Sequence, residues 1–522
     1  MNSAAHAVLV ASGIFLSRIA GLIRQRVFAH YFGQSDAGDA FNAAFRIPNF
    51  LQNLFGEGVL SASFIPVYSK LLAVGDEAGA RRVAGVVGTL LALVTSVLVL
   101  AGILATPLLV DLIAPGFEGA KRELTVRMVR IIFPGTGLLV LSAWCLGILN
   151  SHRRFFLSYT APVVWSAVMV AAMLLFGASV RSEDLAVKLA WASVIGAALQ
   201  FLVQVPVVWR LARGVEPSLD LRSEGARTVV RTFGPVFVGR GVVQISGYVD
   251  SVLASLLPTG AVTALANAQT LYTLPVSLFG MAVSAAELPA MSSVVGDRNE
   301  VALALRAKLD TGLGRVAYFI VPSAMAFLAL GDVIAAALFQ TGRFTAEDAV
   351  WVWGILAGSS VGLLASTLGR LYASVYYALH DTGTPLRYAT LRVLLGTTLG
   401  YFASLHLPGI VGVDPKWGVA FLTASSGVAG WVEFTLLRST MHTRIGRTGL
   451  PASRLLSLWG AAAFAAALGL AARHFAADNL HPVPLAAVVL APYGSAYIGI
   501  TWAARVPEAR AILGRLLRRG RS

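Results

Sequence analysis

The chain has 522 residues, 57% of them hydrophobic and 13% charged, with a net charge of +15. Soluble domains run at roughly 45–50% apolar and 25% charged, so a water-soluble fold could not hide this much apolar surface. A single cysteine, Cys145, excludes an internal disulfide and a cysteine-built metal centre.

A membrane-spanning helix needs about 20 mostly apolar residues. Runs of that kind predict spans over 5–28, 38–70, 83–113, 124–149, 157–179, 186–210 and 228–257. Seven more follow over 261–295, 309–340, 348–379, 385–406, 417–437, 453–473 and 483–504. The first run has no Lys or Arg before it and meets Ser17-Arg18 instead of a small-residue cleavage site, so it reads as a span and not a cleaved signal. The fold class expected is an all-α polytopic membrane protein of about fourteen helices. Its longest gap, 211–228, suggests two six-helix lobes, 1–215 and 216–447, followed over 448–522 by two further helices and a basic tail.

The gaps set the expected orientation. With the N-terminus inside, inner gaps and tail carry roughly 24 basic residues, among them Arg81, Arg82, Arg210 and Arg213, and outer gaps carry 7. Basic residues concentrate in cytoplasmic loops, so both termini are expected in the cytoplasm. The same rule accounts for the net charge without nucleic acid as a partner. A weak internal repeat joins the lobes. Leu109-Val110-Asp111-Leu112-Ile113 resembles Leu330-Gly331-Asp332-Val333-Ile334, and the second and eighth spans share Pro48 and Pro275, then Phe-Gly, then Pro66 and Pro289. Such parallel repeats are common in transporters.

The second span holds Asp39, Asn42, Arg46, Asn49, Asn53, Glu57 and Ser61 at spacings of three and four, which place them on one helical face. Polar and charged groups at membrane depth are costly and mark cavities or partners on other helices. The stripe therefore predicts the wall of a water-filled chamber, the simpler alternative being that Arg46 neutralises Asp39 or Glu57. The first span adds Ser17, Arg18, Arg24, Gln25 and Arg26. Arg24 and Arg26 lie towards its outer end, where snorkelling to headgroups competes with a chamber role; Arg18 lies too deep for that. Guanidinium groups suit a phosphate cargo, because they keep their charge and offer forked donors. Arg240, Asp250 and Glu287 are lesser candidates, with Asp250 and Arg240 a possible structural pair, and Arg370, Arg392 and Glu433 read as structural.

No nucleotide-binding loop or H-E-x-x-H motif occurs, and the loops lack the clustered acids that a membrane transferase needs for metal and pyrophosphate. The expectation is a transporter, not an enzyme, with no cofactor and no metal.

At the N-terminus, Ser17-Arg18, Gly21, Arg24, Phe32-Gly33, Asp39-Ala40-Phe41, Phe45-Arg46-Ile47-Pro48-Asn49, Leu54-Phe55-Gly56-Glu57-Gly58 and Phe64-Ile65-Pro66 form a recognisable series. It resembles the MurJ (MviN) family of lipid II flippases, within the superfamily of multidrug and polysaccharide exporters. That resemblance implies twelve core helices in two lobes, and a last helix pair forming an apolar groove for a polyprenyl tail. It implies lipid II, a polyprenyl-pyrophosphate-linked saccharide, as cargo, with membrane lipids and cell-wall synthesis proteins as partners. Carried over by position, the cargo contacts would be Arg18, Arg24, Asp39, Arg46, Asn49 and Glu57, supported by Ser17, Gln25, Arg26, Asn53 and Thr270. Three positions depart from the family pattern: Gln25 where an acid is usual, and Gln52 and Thr270 where basic residues are. The alternatives are a flippase for another polyprenyl-linked saccharide and a cation or drug antiporter, which would want a carboxylate-rich chamber.

Overall fold

The computed structural model describes residues 3–55, 57–281, 291, 297–379, 381–476 and 480–510. Of the sequence candidates, Glu287 and the side chains of Glu57 and Arg240 lie outside what is described. Two compact units emerge, one of residues 1–263 with Thr341–Arg343, the other of 264–340 with 344–522.

The first unit contains α1 (Ser3–Phe32), α2 (Asp36–Phe55), α3 (Glu57–Ala73), α4 (Glu77–Leu104), α5 (Thr106–Ile113), α6 (Gly119–Ser151), α7 (Phe155–Phe176), α8 (Ser182–Leu211) and α9 (Glu224–Ser255). The expected third span is two helices that break at Ala105, and the second is described as α2 and α3 on either side of residue 56. Pro107 sits in the first turn of α5, a position that needs no backbone N–H and so suits a new helix start. The helix α6 lies at the centre and packs against α8, α2, α4 and α3, while α1 packs on α7. The helix α9, expected in the second lobe, packs on α3, α2 and α4, so this unit runs past the anticipated boundary at residue 215.

Two apolar clusters hold this unit together. One is built on Phe28, Phe32, Phe41, Phe133 and Met173, the other on Phe64, Tyr68, Val140 and Ile148. Phe133 is admitted by Gly102, where a Cβ would stand 2.4 Å from the ring. Small residues bring membrane helices this close because lipid supplies little hydrophobic drive between them.

The second unit contains most of α10 (Ala261–Pro275), a π-helical turn (Val276–Met281), α11 (Arg298–Phe339), α12 (Ala346–Ala378), α13 (Gly383–Leu405), α14 (Leu407–Val411), α15 (Gly418–Ile445), α16 (Ala452–Ala476) and α17 (Pro482–Ala503). Here α12 packs on α11 and α15, and α16 and α17 pack on each other and on α11. The helices α12 and α15 meet closely at Gly362 and Gly427, where a Cβ on the first would lie 2.4 Å from the Cα of the second. Ion pairs tie the helices: Arg392 to Glu433 at 3.0 Å, Arg473 to Asp332 at 2.6 Å, and Arg454 to Glu508 at 2.5 Å. Asp111 in the first unit likewise pairs with Arg122, at 2.6 Å, so both aspartates of the sequence repeat are held by an arginine of their own unit.

Among the described residues, nine helices are long and apolar enough to cross a membrane: α4, α6, α7, α8, α11, α12, α15, α16 and α17. The other expected spans fall on α1, α2 with α3, α9, α10 and α13, and the far half of the eighth lies largely outside the described residues.

Candidate functional site

The polar face of α2 does not act as one wall. Its first charged member, Asp39, is 1% exposed. One carboxylate oxygen accepts from Lys121 Nζ at 2.8 Å and from the Gly260 N–H at 2.7 Å. The other accepts from the Thr263 N–H and hydroxyl, both at 2.8 Å. Gly260 and Thr263 stand at the start of α10, so Asp39 caps that helix from another element, where a negative charge is favoured by the exposed N–H groups. Lys121 also bridges to Asp36 at 2.8 Å. Burial pushes the Asp36 carboxyl up, but the Lys121 bond and charge, helped by Thr259, hold it below the ordinary range. The expectation that Asp39 meets cargo therefore changes: both its oxygens are taken by the protein.

One turn on, the face opens. Asn42 donates to Gly38 O at 3.0 Å and to Thr263 Oγ1 at 3.3 Å, and with Asn49 and Gln52 it borders a cavity of about 360 Å³. Arg24, Gln25 and Phe28 of α1 line the same cavity, with Phe41 and Phe45 of α2, Trp165 and Met169 of α7, and Gln200 of α8. The Arg24 guanidinium carbon lies 4.4 Å from the Trp165 ring centroid, and Nη1 approaches the Met169 sulfur at 3.7 Å. Its Nε is buried without a hydrogen-bond partner. A guanidinium held face-on by an indole keeps its edge donors for an anion in the ring plane. Among the described lining residues, Arg24 is the only charged one, so the cavity is cationic with no carboxylate opposing it.

The remaining candidates scatter. Arg46 turns to α9, with Nη1 3.3 Å from Gly247 O and its guanidinium 5.9 Å from the Tyr248 ring; neither Asp39 nor Arg46 lines the cavity. Arg18 is exposed, Ser17, Arg26 and Asn53 are half-buried, and none of the four lines it. Thr270 belongs to the second unit, where its hydroxyl donates to Ala266 O at 2.9 Å.

Trp165, Met169 and Gln200 were not foreseen. Gln200 and its neighbour one turn on, Gln204, both donate to the Ser142 hydroxyl, at 3.0 and 2.5 Å. The signal available was a pair of glutamines at i and i+4 in an apolar span, facing the span that carries the lone Trp165; charge is easier to notice than amide.

The sequence profile of the family described as "Lipid II flippase MurJ" matches residues 28–490. A relative named lipid II flippase MurJ, from Burkholderia cenocepacia, is 32% identical over 422 residues, covering 79% of this chain and 80% of its own. One named probable lipid II flippase MurJ, from Haemophilus influenzae, is 32% identical over 386 residues, covering 71% and 75%. Among solved structures, a lipid II flippase MurJ in an inward closed conformation superposes with a TM-score of 0.77 at 23% identity, over 95% of this chain and 98% of that one. An inward-facing multidrug transporter of the MATE family gives 0.64 at 16% identity, over 81% and 95%.

Proposed function

The chain belongs to the lipid II flippase MurJ family, and we propose on that footing that it moves lipid-linked peptidoglycan precursor from the inner to the outer leaflet of the cytoplasmic membrane by alternating access. The observation that carries this reading is the cavity around Arg24. Its guanidinium lies on Trp165 with a buried, unbonded Nε, and no carboxylate is among the described residues of the wall. The cargo's pyrophosphate meets Arg24 there, and the amides of Gln25, Asn42, Asn49 and Gln52 meet its neutral groups. Arg18 and Arg46 are contacts outside that cavity, and Glu57 is a further cargo contact. The likeness to MATE transporters concerns the fold; a cation antiporter would want acids where this cavity has an arginine.

A cavity of this size holds a headgroup fragment, not a long isoprenoid, so the tail stays in lipid along α16 and α17. Moving one charge through 100 mV is worth about 2.3 kcal/mol, and an inside-negative potential favours outward passage of the anionic head. Both termini then face the cytoplasm of a multi-pass inner-membrane protein. Single cysteines at Gly75 and Ser223 are expected to resist an impermeant thiol reagent applied outside, and one at Ala178 to react; labelling of Gly75 would reverse the orientation.

Complementation of cells depleted of their own lipid II flippase tests the activity. This chain should restore growth and outward lipid II, and Arg24→Ala should not, at equal membrane abundance. Growth restored equally by both would remove the cavity from the transport route.

A further inference from the structure

The first unit holds a second recess, of about 510 Å³, at the end where α4 begins and α6 and α8 finish. From α4 come Gly85, Gly88 and Ala92, and from α8 come Phe201, Val205 and Trp209. Trp144 of α6 closes the back, and its indole N–H is spent on Ala84 O at 3.2 Å. The one hydroxyl on the wall, Thr89, is bonded to Gly85 O at 2.8 Å and to the Ser218 N–H at 3.1 Å. The recess therefore offers mostly apolar surface, while Trp209, 73% exposed, stands at its edge.

Its rim has the opposite character. The lining stripe of α4 continues one turn outward from Gly85 to Arg81, at the spacing of four that keeps a helical face, and Arg213 follows in the turn just beyond the last residue of α8, Leu211. The Arg81 side chain lies against Gly214, whose φ of +79° turns the chain across the mouth. Arg82, Arg210 and Arg213 are exposed beside it. Two acids share the rim: Glu77, 3.6 Å from Arg81, and Glu216, whose carbonyl packs on Gly85. The arginines outnumber them.

Dimensions choose among hydrophobic occupants. From Phe201 to Ala212 the recess runs roughly 16 Å along α8, at about 1.5 Å per residue. That is about half of a 30 Å hydrocarbon core, the depth of one leaflet's acyl chain. We propose that this recess binds an anionic glycerophospholipid of that leaflet, with one acyl chain between Trp144 and Trp209 and the phosphate against Arg81 and Arg213. Basic residues beside apolar crevices between membrane helices recognise such headgroups, each arginine giving roughly a five-fold preference.

Native mass spectrometry of the full chain in a non-ionic detergent tests this, with phosphatidylglycerol, phosphatidylcholine and undecaprenyl phosphate as separate probes. The wild-type protein should retain one phosphatidylglycerol at least roughly five-fold more tightly than phosphatidylcholine. Arg81→Gln with Arg213→Gln should bring the two to parity, and Ala92→Phe should weaken both. Arg181→Gln, an exposed charge at the other end of α8, should change nothing. Equal retention of the two phospholipids by the wild-type protein, a preference surviving in the double variant, or undecaprenyl phosphate held in place of phosphatidylglycerol would each overturn the proposal. The wild-type comparison stands even where a variant fails to fold.

Discussion

Tyr497 donates its phenolic hydrogen to the main-chain carbonyl of Tyr318 at 2.7 Å. That carbonyl is the one left over by Pro322, which stands four residues on in α11 and has no N–H to return to it. Tyr493, one turn before Tyr497 on α17, donates to the carbonyl of Pro322 itself at 2.5 Å. The pair fastens the last helix to the proline-disturbed stretch of α11. Tyr497→Phe keeps the ring and removes the bond, and interhelical hydrogen bonds in membranes contribute roughly 0.6–1.7 kcal/mol. Thermal unfolding in detergent should show a lowered midpoint for Tyr497→Phe, and an unchanged one would mean that the carbonyl finds another donor.

Asp39 separates a structural role from a cargo role. Breaking a buried ion pair by removing one partner costs up to about 3–5 kcal/mol; Asp39→Ala leaves Lys121 with Asp36 alone and takes the acceptor from the Gly260 and Thr263 N–H groups. Asp39→Ala should therefore reduce membrane abundance and thermal stability before transport is considered. Asp39→Asn, which keeps an acceptor for the N–H groups of α10, should lose less. A variant of wild-type stability that fails only in transport would return Asp39 to the list of cargo contacts.

Trp165 holds the face of Arg24, so its ring matters more than its volume. Trp165→Phe preserves a π face and should retain much of the complementing activity; Trp165→Leu should lose it, with protein level unchanged. Cation–π contacts are worth about 0.5–2 kcal/mol, enough to shift transport several-fold. Equal activity of the two variants would show that Arg24 is positioned by something else. Gln25→Asp should impair transport as well, by placing an anion in the same cavity.

Outside the membrane, Asp381 offers a test by pH. It accepts from the Thr384 N–H at 3.0 Å and hydroxyl at 2.7 Å, and pairs with Arg444 at 2.6 Å. These bonds, the backbone one first, pull its carboxyl down to about 2, from an ordinary value of about 3.9. A depressed carboxylate contributes stability above its unfolded value and loses it as pH falls through the folded one. Wild-type protein should exceed Asp381→Asn in thermal midpoint at neutral pH, with the gap closing between about pH 4 and pH 2. A gap that does not depend on pH would show that charge at Asp381 is irrelevant.

The sequence made helices legible because membrane spans are long apolar runs, and it marked the polar face of α2 because charge there is rare. It did not separate Asp39 from Asn49, which share a helical face but meet different neighbours. Asp39 finds Lys121 and the start of α10, while Asn49 faces a void. That distinction comes from packing between segments over 80 residues apart, which periodicity does not encode. The break at Ala105 was likewise invisible to hydropathy, since the stretches on either side remain apolar. Trp165 and Gln200 were missed because neutral residues in a span carry no surcharge that calls for explanation.

Arg454, at the start of α16, grips Glu508 through both carboxylate oxygens, at 2.6 and 2.5 Å, and Gly314 of α11 makes room for the pair. Val506 and Ala509 beside it are buried, at 6% and 0% exposure. Hydropathy stops at Ala503, yet the helical hairpin of α16 and α17 is clasped at its base by a residue five positions later. A truncation or fusion drawn at the last apolar residue would open that clasp and leave Arg454 facing an empty seat. An engineered boundary has to keep Glu508 and Ala509, and a reporter joined at Ala504 reads out a frayed hairpin.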